Sequence, residues 1–218
     1  MSVTGIVLAA GGSERLGRPK QTLPLGENTV LGCTVREAER SALDAVVVVL
    51  GGAAEDVLHS LSLERASLAY NDAYSEGCAR SILAGLDAAG EATDAVVLLP
   101  GDMPGVGPAV IAGVLDAWEK YQPWGMIASY RGDLGHPILF STAAFEELRS
   151  LHGDGGVWKI VAREPEERIR RVDFDRPKPR DIDTWDDYLA VCYELGCVPA
   201  ESAVIEAGPD RSASQPYE

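Results

Sequence analysis

At 218 residues, 46% hydrophobic and 24% charged, the chain has the length and balance of one globular α/β domain with a sizeable core. Nineteen basic against 34 acidic side chains give a formal charge of −15, which argues against nucleic acid or an anionic membrane surface as the main partner. Four cysteines without a CxxC pair and three histidines without HExxH argue against a zinc site and against a disulfide framework, so reduced thiols in a cytoplasmic protein are expected. No basic region followed by a long apolar run opens the chain, and no stretch approaches the ~20 apolar residues of a membrane span.

Strand-like runs alternate with helical periodicity. Residues 4–10 (TGIVLAA) read as a short buried strand ending in Gly11-Gly12, and residues 30–42 place Val30, Leu31, Thr34, Val35, Ala38 and Ala42 near one helical face. The β-branched run 45–50 (AVVVVL) is that of a parallel strand covered on both faces. A short helix over 54–61, a strand over 67–70, a helix over 79–89, a buried strand over 94–99 and a helix over 108–121 follow, with Pro108 suited to a first helical turn. This alternation predicts an α/β fold with a doubly wound, mainly parallel sheet. After Gly125 the rhythm changes to short strands (GMIASY, HPILF), two helical stretches, a basic strand (RIRRVDF) and a helix from about Thr184, which predicts a small antiparallel extension. Residues 1–198 read as a single domain. The Ser-, Ala-, Pro- and acid-rich segment 199–218 reads as a disordered tail.

The most informative segment is LAAGGSERLGRPK, residues 8–20, directly after the first strand. Ligands of open α/β sheets bind at the carboxyl ends of strands. Gly11, Gly12 and Gly17 permit close backbone approach and offer N–H groups to phosphate oxygens, and Arg15 and Lys20 supply cations. A P-loop requires Lys and Ser or Thr directly after its second glycine, whereas Gly17 is followed by Arg18-Pro19-Lys20; GxGxxG is also missing. A second signal, LPGDMP over 99–104, puts Asp102 at the end of a buried strand, where a carboxylate is placed either to hold Mg2+ or to cap the turn before the Pro108 helix. A third, RDIDTWDDY over 180–188, has the pattern of a capped helix start at Asp183-Thr184.

Residues 8–20 match LAxGxSxRxGxxK and so resemble the first motif of the MobA-like NTP transferase family; GDMP is similar to its metal motif, and DIDTWD to its late aspartate segment. The likeness spans about residues 5–189. It implies a Rossmann-like nucleotidyltransferase fold in which Leu8, Ala9, Ala10, Gly11 and Gly12 hold base and phosphates. Arg15 and Lys20 would bind the triphosphate, Asp102 and Asp183 would hold Mg2+, and Asn71, Gly77 and Ser81 would line the nucleoside pocket, with Arg80 adding charge near the phosphates. Ala10, in LAAG rather than LAGG, is similar to the molybdenum cofactor cytidylyltransferases and other CTP-using enzymes of this fold. Similar GHP and GD-G segments in those enzymes face the acceptor, which carries over to His136 and Asp154; His136 is open to a structural hydrogen bond as well. This chain reads GDGGVWK where the pattern is GDxGAR.

The reaction implied is transfer of a nucleoside monophosphate, CMP from CTP, to the phosphate of the molybdenum cofactor, with release of pyrophosphate and handover of the product to a molybdoenzyme. The alternatives are a sugar or polyol phosphate acceptor, a nucleotide-cofactor oxidoreductase, and a non-catalytic carrier of the molybdenum cofactor.

Overall fold

The computed structural model describes residues 1–11, 16–153 and 156–199. The chain runs through β1 (Val3–Ala9), a small antiparallel hairpin of β2 (Pro24–Leu25) and β3 (Asn28–Thr29), α1 (Val30–Glu39), β4 (Ala45–Leu50), α2 (Ala54–Ser60) and β5 (Ser67–Tyr70). It continues through α3 (Cys78–Ala89), β6 (Ala95–Pro100), α4 (Pro108–Tyr121), β7 (Gly125–Tyr130), β8 (Asp133–Ser141), α5 (Phe145–Arg149), α6 (Gly156–Arg163), β9 (Ile169–Phe174) and α7 (Trp185–Glu194). Seven strands form one sheet in the order β5-β4-β1-β6-β8-β7-β9. The pairs β5-β4, β4-β1, β1-β6 and β7-β9 are parallel, and β8 runs antiparallel to both its neighbours.

Successive side chains of a strand point to opposite faces, so a strand covered on both sides must be apolar at every position. Ile6 and Val7 show the rule: both are fully buried, but in different cores. The Val7 face collects Val46, Val48, Val97 and Leu99 under α1, α2 and α4. The Ile6 face collects Val47, Val49, Val96 and Leu98 under α3, α5 and α6. A third cluster joins α7, through Tyr188, Val191 and Cys192, to Leu23, Leu25 and Val30. There the Tyr188 hydroxyl donates to the Pro24 carbonyl at 2.5 Å. The sheet is thus doubly wound, as the alternation of elements predicted.

The antiparallel extension is part of the main sheet. Arg131 (φ 52°) and Gly132 (φ 100°) make a two-residue turn, the pair of positive φ values that suits a tight hairpin, and β8 returns over nine residues instead of the short HPILF run. Helix α1 stops at Glu39, short of residue 42, because Ser41 turns back on Ala38, its hydroxyl donating to that carbonyl at 2.6 Å. Pro108 is in the first turn of α4. No helix of the described residues is long and apolar enough to cross a membrane. Of the segment read as a tail only Pro199 is described, and residues 200–218 lie outside the described residues.

Candidate active site

The ends of β1 and β6 are drawn together by Gly101. Its N–H donates to the Leu8 carbonyl at 2.9 Å, and a Cβ on it would stand 3.0 Å from that carbonyl, from Ala9 Cβ and from a Leu31 methyl. A side chain at 101 would force the two strand ends apart, so glycine is what lets Asp102 stand beside the loop that follows β1. The loop is fastened from the other side by Gln21, a buried residue whose side-chain amide donates to Ala9 O at 3.1 Å and Gly11 O at 2.8 Å. Pro19 precedes a 3-10 turn, Lys20–Thr22, rather than an α-helix. That turn delivers Lys20 to Asp102.

Lys20 Nζ lies 2.5 Å from Asp102 Oδ2 and 3.0 Å from Asp183 Oδ1, with 14% of the lysine side chain exposed. Burial pulls its pKa down, but the Asp102 charge and the hydrogen bonds to both carboxylates outweigh that, and the net shift is upward, so the amine is an ammonium at neutral pH. Asp183 reaches this point from the segment before α7. The backbone N–H of Ile182 donates to Asp102 O at 3.1 Å, and Ile182 is fully buried. The helix is capped by Thr184 and Asp187, which exchange hydrogen bonds in a capping box. Capping therefore falls to Thr184 and Asp187, while the Asp183 carboxylate turns to Lys20.

Lys20 and Asp102 line a cavity of about 400 Å³ whose wall also includes Leu8, Ala9, Ala10 and Gly11. Gly77, Cys78, Ser81 and Ile82, at the start of α3, line it further on. Gly77 has φ 107°, a conformation that side chains resist, and it lets the 3-10 turn at Tyr74–Glu76 break into α3. Tyr74 also lines the cavity and packs so closely on Gly51 and Gly52 that a Cβ on Gly52 would stand 2.6 Å from Tyr74 Cζ.

His136, Val157 and Trp158 also line the cavity. His136 is 7% exposed, and burial pushes its imidazole down to about 4, against a smaller opposing pull from its bond to Leu98, so it is neutral at physiological pH. Its Nδ1 is 3.3 Å from the Leu98 carbonyl. A carbonyl only accepts, so Nδ1 carries the proton and Nε2 is left as an acceptor. The His136 carbonyl accepts from the Tyr130 hydroxyl at 2.5 Å, and burial pushes that phenol up to about 12, which keeps it a donor. The Trp158 ring meets the imidazole edge-on, centroids 5.5 Å apart.

Most of the residues singled out from the sequence therefore meet in one place: Leu8, Ala9, Ala10, Gly11, Lys20, Gly77, Ser81, Asp102 and His136 share the cavity wall, and Asp183 joins through Lys20. Asn71 does not form part of that wall. It is buried and donates from its amide to Ser81 Oγ at 3.0 Å, which orients a residue that does. Arg80 pairs with Glu76 at 2.6 Å on the exposed side of α3. Gly12, Arg15 and Asp154 lie outside the described residues. Gln21, Tyr74, Cys78 and Trp158 enter the site without having been foreseen.

A family model described as MobA-like NTP transferase domain matches residues 5–169. Among solved structures, Rv0371c from Mycobacterium tuberculosis H37Rv is 38% identical with a TM-score of 0.81, the match covering 88% of this chain and 98% of that one. The same protein as a complex with manganese gives 35% identity and a TM-score of 0.78, covering 88% and 99%. Among curated proteins, the nicotine blue oxidoreductase of Paenarthrobacter nicotinovorans is 28% identical over 193 residues, 84% of this chain and 92% of that protein. The molybdenum cofactor cytidylyltransferase of Escherichia coli (strain K12) is 26% identical over 138 residues, 62% of this chain and 68% of that protein.

Proposed function

The chain belongs to the MobA-like NTP transferase domain family, and we propose that it moves the nucleoside monophosphate of an NTP, CMP from CTP, onto the phosphate of a small-molecule acceptor of the molybdenum cofactor type. The observation that carries this reading is the convergence of Lys20, Asp102 and Asp183 on one point beside the loop after β1. Two carboxylates aimed at a single cation are hard oxygen donors of the kind that Mg2+ takes, and Asp102 and Asp183 would hold it. A relative 35% identical to this chain has been solved with manganese. When bound, the ion supplies neutralisation of phosphate charge.

A terminal phosphate with a second pKa of ~6 is largely dianionic at neutral pH and needs no general base. One of its oxygens bonds to the α-phosphorus as the bond from that phosphorus to the bridging oxygen of the β-phosphate breaks, and pyrophosphate leaves with the electron pair. Gly11 and the backbone beside it approach the phosphates, and Lys20, with Arg15, offers positive charge to the departing pyrophosphate. Ala10, buried in the cavity wall, narrows the space beside the base, which favours CTP over GTP. His136 and Trp158 face the acceptor end.

A second reading, a nucleotide-dependent oxidoreductase, is favoured by the 28% identity to nicotine blue oxidoreductase over most of that protein's length. One panel separates the two: pyrophosphate release with CTP, GTP, ATP and UTP, each with molybdenum cofactor, with a sugar phosphate and with no acceptor, beside binding of NAD, NADP and flavins. Release with CTP and molybdenum cofactor is expected. No release with any pair, together with tight binding of a redox cofactor, would replace the transferase reading by the oxidoreductase one.

A further inference from the structure

A lysine that waits for a triphosphate can be held meanwhile by carboxylates. Lys20 is held by two, at 2.5 and 3.0 Å, with most of its side chain buried. Asp102 follows β6, and Asp183 precedes α7, 81 residues later in the numbering; each is fixed by its own backbone, through Gly101 and through Ile182. Two carboxylates brought together by separate elements repel, and burial strengthens the repulsion unless a cation lies between them. The ammonium of Lys20 fills that position. A divalent cation taking the same two oxygens would have to take it too.

We propose that Lys20 is a tethered stand-in for the metal: it occupies the Asp102–Asp183 pair until a nucleotide arrives, and then exchanges its carboxylate partners for phosphate oxygens as the pair passes to the divalent cation. The inference rests on the reading of Asp102 and Asp183 as the metal pair, and it adds a specific consequence. Without nucleotide, a dication must break two charge-assisted hydrogen bonds and leave an ammonium without those partners, so it binds weakly. With nucleotide, the phosphates give the ammonium a replacement partner, and the displacement is offset. Lys20 thereby makes metal loading depend on NTP through its own side chain, in addition to any ligands the phosphates contribute. The tether is short: Gln21, the next residue, holds the turn against Ala9 and Gly11, so Lys20 stays beside the phosphate loop whichever partner it takes.

The test is Mn2+ binding without nucleotide, measured by the resonance signal of the free ion, in wild type, Lys20→Met, Asp102→Asn and the double variant. Methionine keeps the unbranched shape and removes the charge. Lys20→Met is expected to bind Mn2+ about tenfold or more tightly than wild type, since the two close carboxylates then lose the ammonium between them. The double variant is expected to lose that gain. If Lys20→Met binds no tighter, while Asp102→Asn still weakens Mn2+ binding in the wild-type background, the stand-in role is overturned and the metal pair survives. If Asp102→Asn changes nothing in either background, the metal pair is wrong and the inference falls with it. Should Lys20→Met fail to fold, acylation of lysines in the wild-type protein, read by mass spectrometry, decides. Saturating Mn2+ alone is expected to raise modification of Lys20 severalfold, and unchanged modification overturns the proposal.

Discussion

The cavity joins a charged cluster and an aromatic one, and the two are built on opposite principles. In the charged one, ion pairs join Lys20, from the turn after the β1 loop, to Asp102, after β6, and to Asp183, ahead of α7. In the other, His136 is buried and neutral, Trp158 packs its edge, and Val157 and Ile82 add apolar surface. The difference assigns different physics to each. Fixed charges act on groups whose charge changes during reaction, and they act strongly where water is excluded. A neutral aromatic wall binds by contact and by one or two oriented hydrogen bonds, with a smaller energy per residue. Substitutions at the charged end should therefore disturb turnover, and those at the aromatic end acceptor affinity or the pH range of the fold.

The largest effect is expected from Asp102→Asn. Asparagine keeps the size and leaves Lys20 attached to Asp183, and the pair it breaks is partly exposed, so thermal melts should show a loss of about 1 kcal/mol. Turnover should fall far more, because a neutral amide is a poor ligand for a hard dication and the phosphate charge it neutralises is commonly worth several kcal/mol. Pyrophosphate release measured against Mg2+ concentration checks it. Wild-type rates and wild-type Mg2+ dependence in this variant would erase the distinction between the two ends.

The charged end was largely legible from the sequence because its chemistry is local: the glycines, Lys20 and Asp102 sit in loops that directly follow apolar runs, and the sheet brings those loops to one edge. β4, with four valines and a leucine after Ala45, has the pattern expected of a strand covered on both faces, and it is one. Asp183 was ambiguous, since a carboxylate ahead of Thr184 and two acidic residues fits a helix cap; the capping box uses Asp187 instead. The aromatic end was legible only at His136, through the GHP segment. Tyr74 and Trp158 come from two segments distant from it, and no spacing links them to His136. The pair Gly51-Gly52 was a signal of close packing after β4, although nothing in the sequence said that Tyr74 would fill the space. Gln21 carried no signal: a polar residue after Pro19-Lys20 reads as exposed, yet it is buried and ties the backbone after β1 to the lysine.

A middle-sized effect is expected at His136, and it concerns stability in acid. The imidazole titrates near 6.5 when unfolded and at about 4 when folded, because burial disfavours the cation. Between those values the unfolded chain binds a proton that the folded chain does not, so stability falls as pH falls from neutrality to about 4 and this contribution levels off below. The full difference is on the order of 3 kcal/mol. His136→Gln keeps a polar group beside Leu98 O but does not titrate, so its stability should decline less than wild type over that window. Parallel declines in denaturant melts from pH 7 to 4 would mean that His136 is as well solvated as the charged end, and the contrast between the ends would weaken.

The smallest effect, and the one that sharpens the contrast most, is expected of Trp158→Ala. Trp158 is 38% exposed, so it carries little of the core, and its ring contacts include the His136 edge at 5.5 Å and the Lys178 ammonium at 5.9 Å from the ring centroid. Neither contact is to the Lys20 cluster. Removing the indole takes away a flat surface from the proposed acceptor site, and an aromatic contact of this kind is worth roughly 0.5–1.5 kcal/mol. A several-fold rise in KM for the acceptor should follow, with the nucleotide Kd unchanged and kcat reduced little, because the phosphates are still aligned by the charged end. Steady-state kinetics with the acceptor varied, beside calorimetry with CTP alone, separates these quantities. Equal losses in acceptor and nucleotide affinity would show that the indole packs against the base, and the aromatic wall would then belong to the nucleotide rather than to the acceptor.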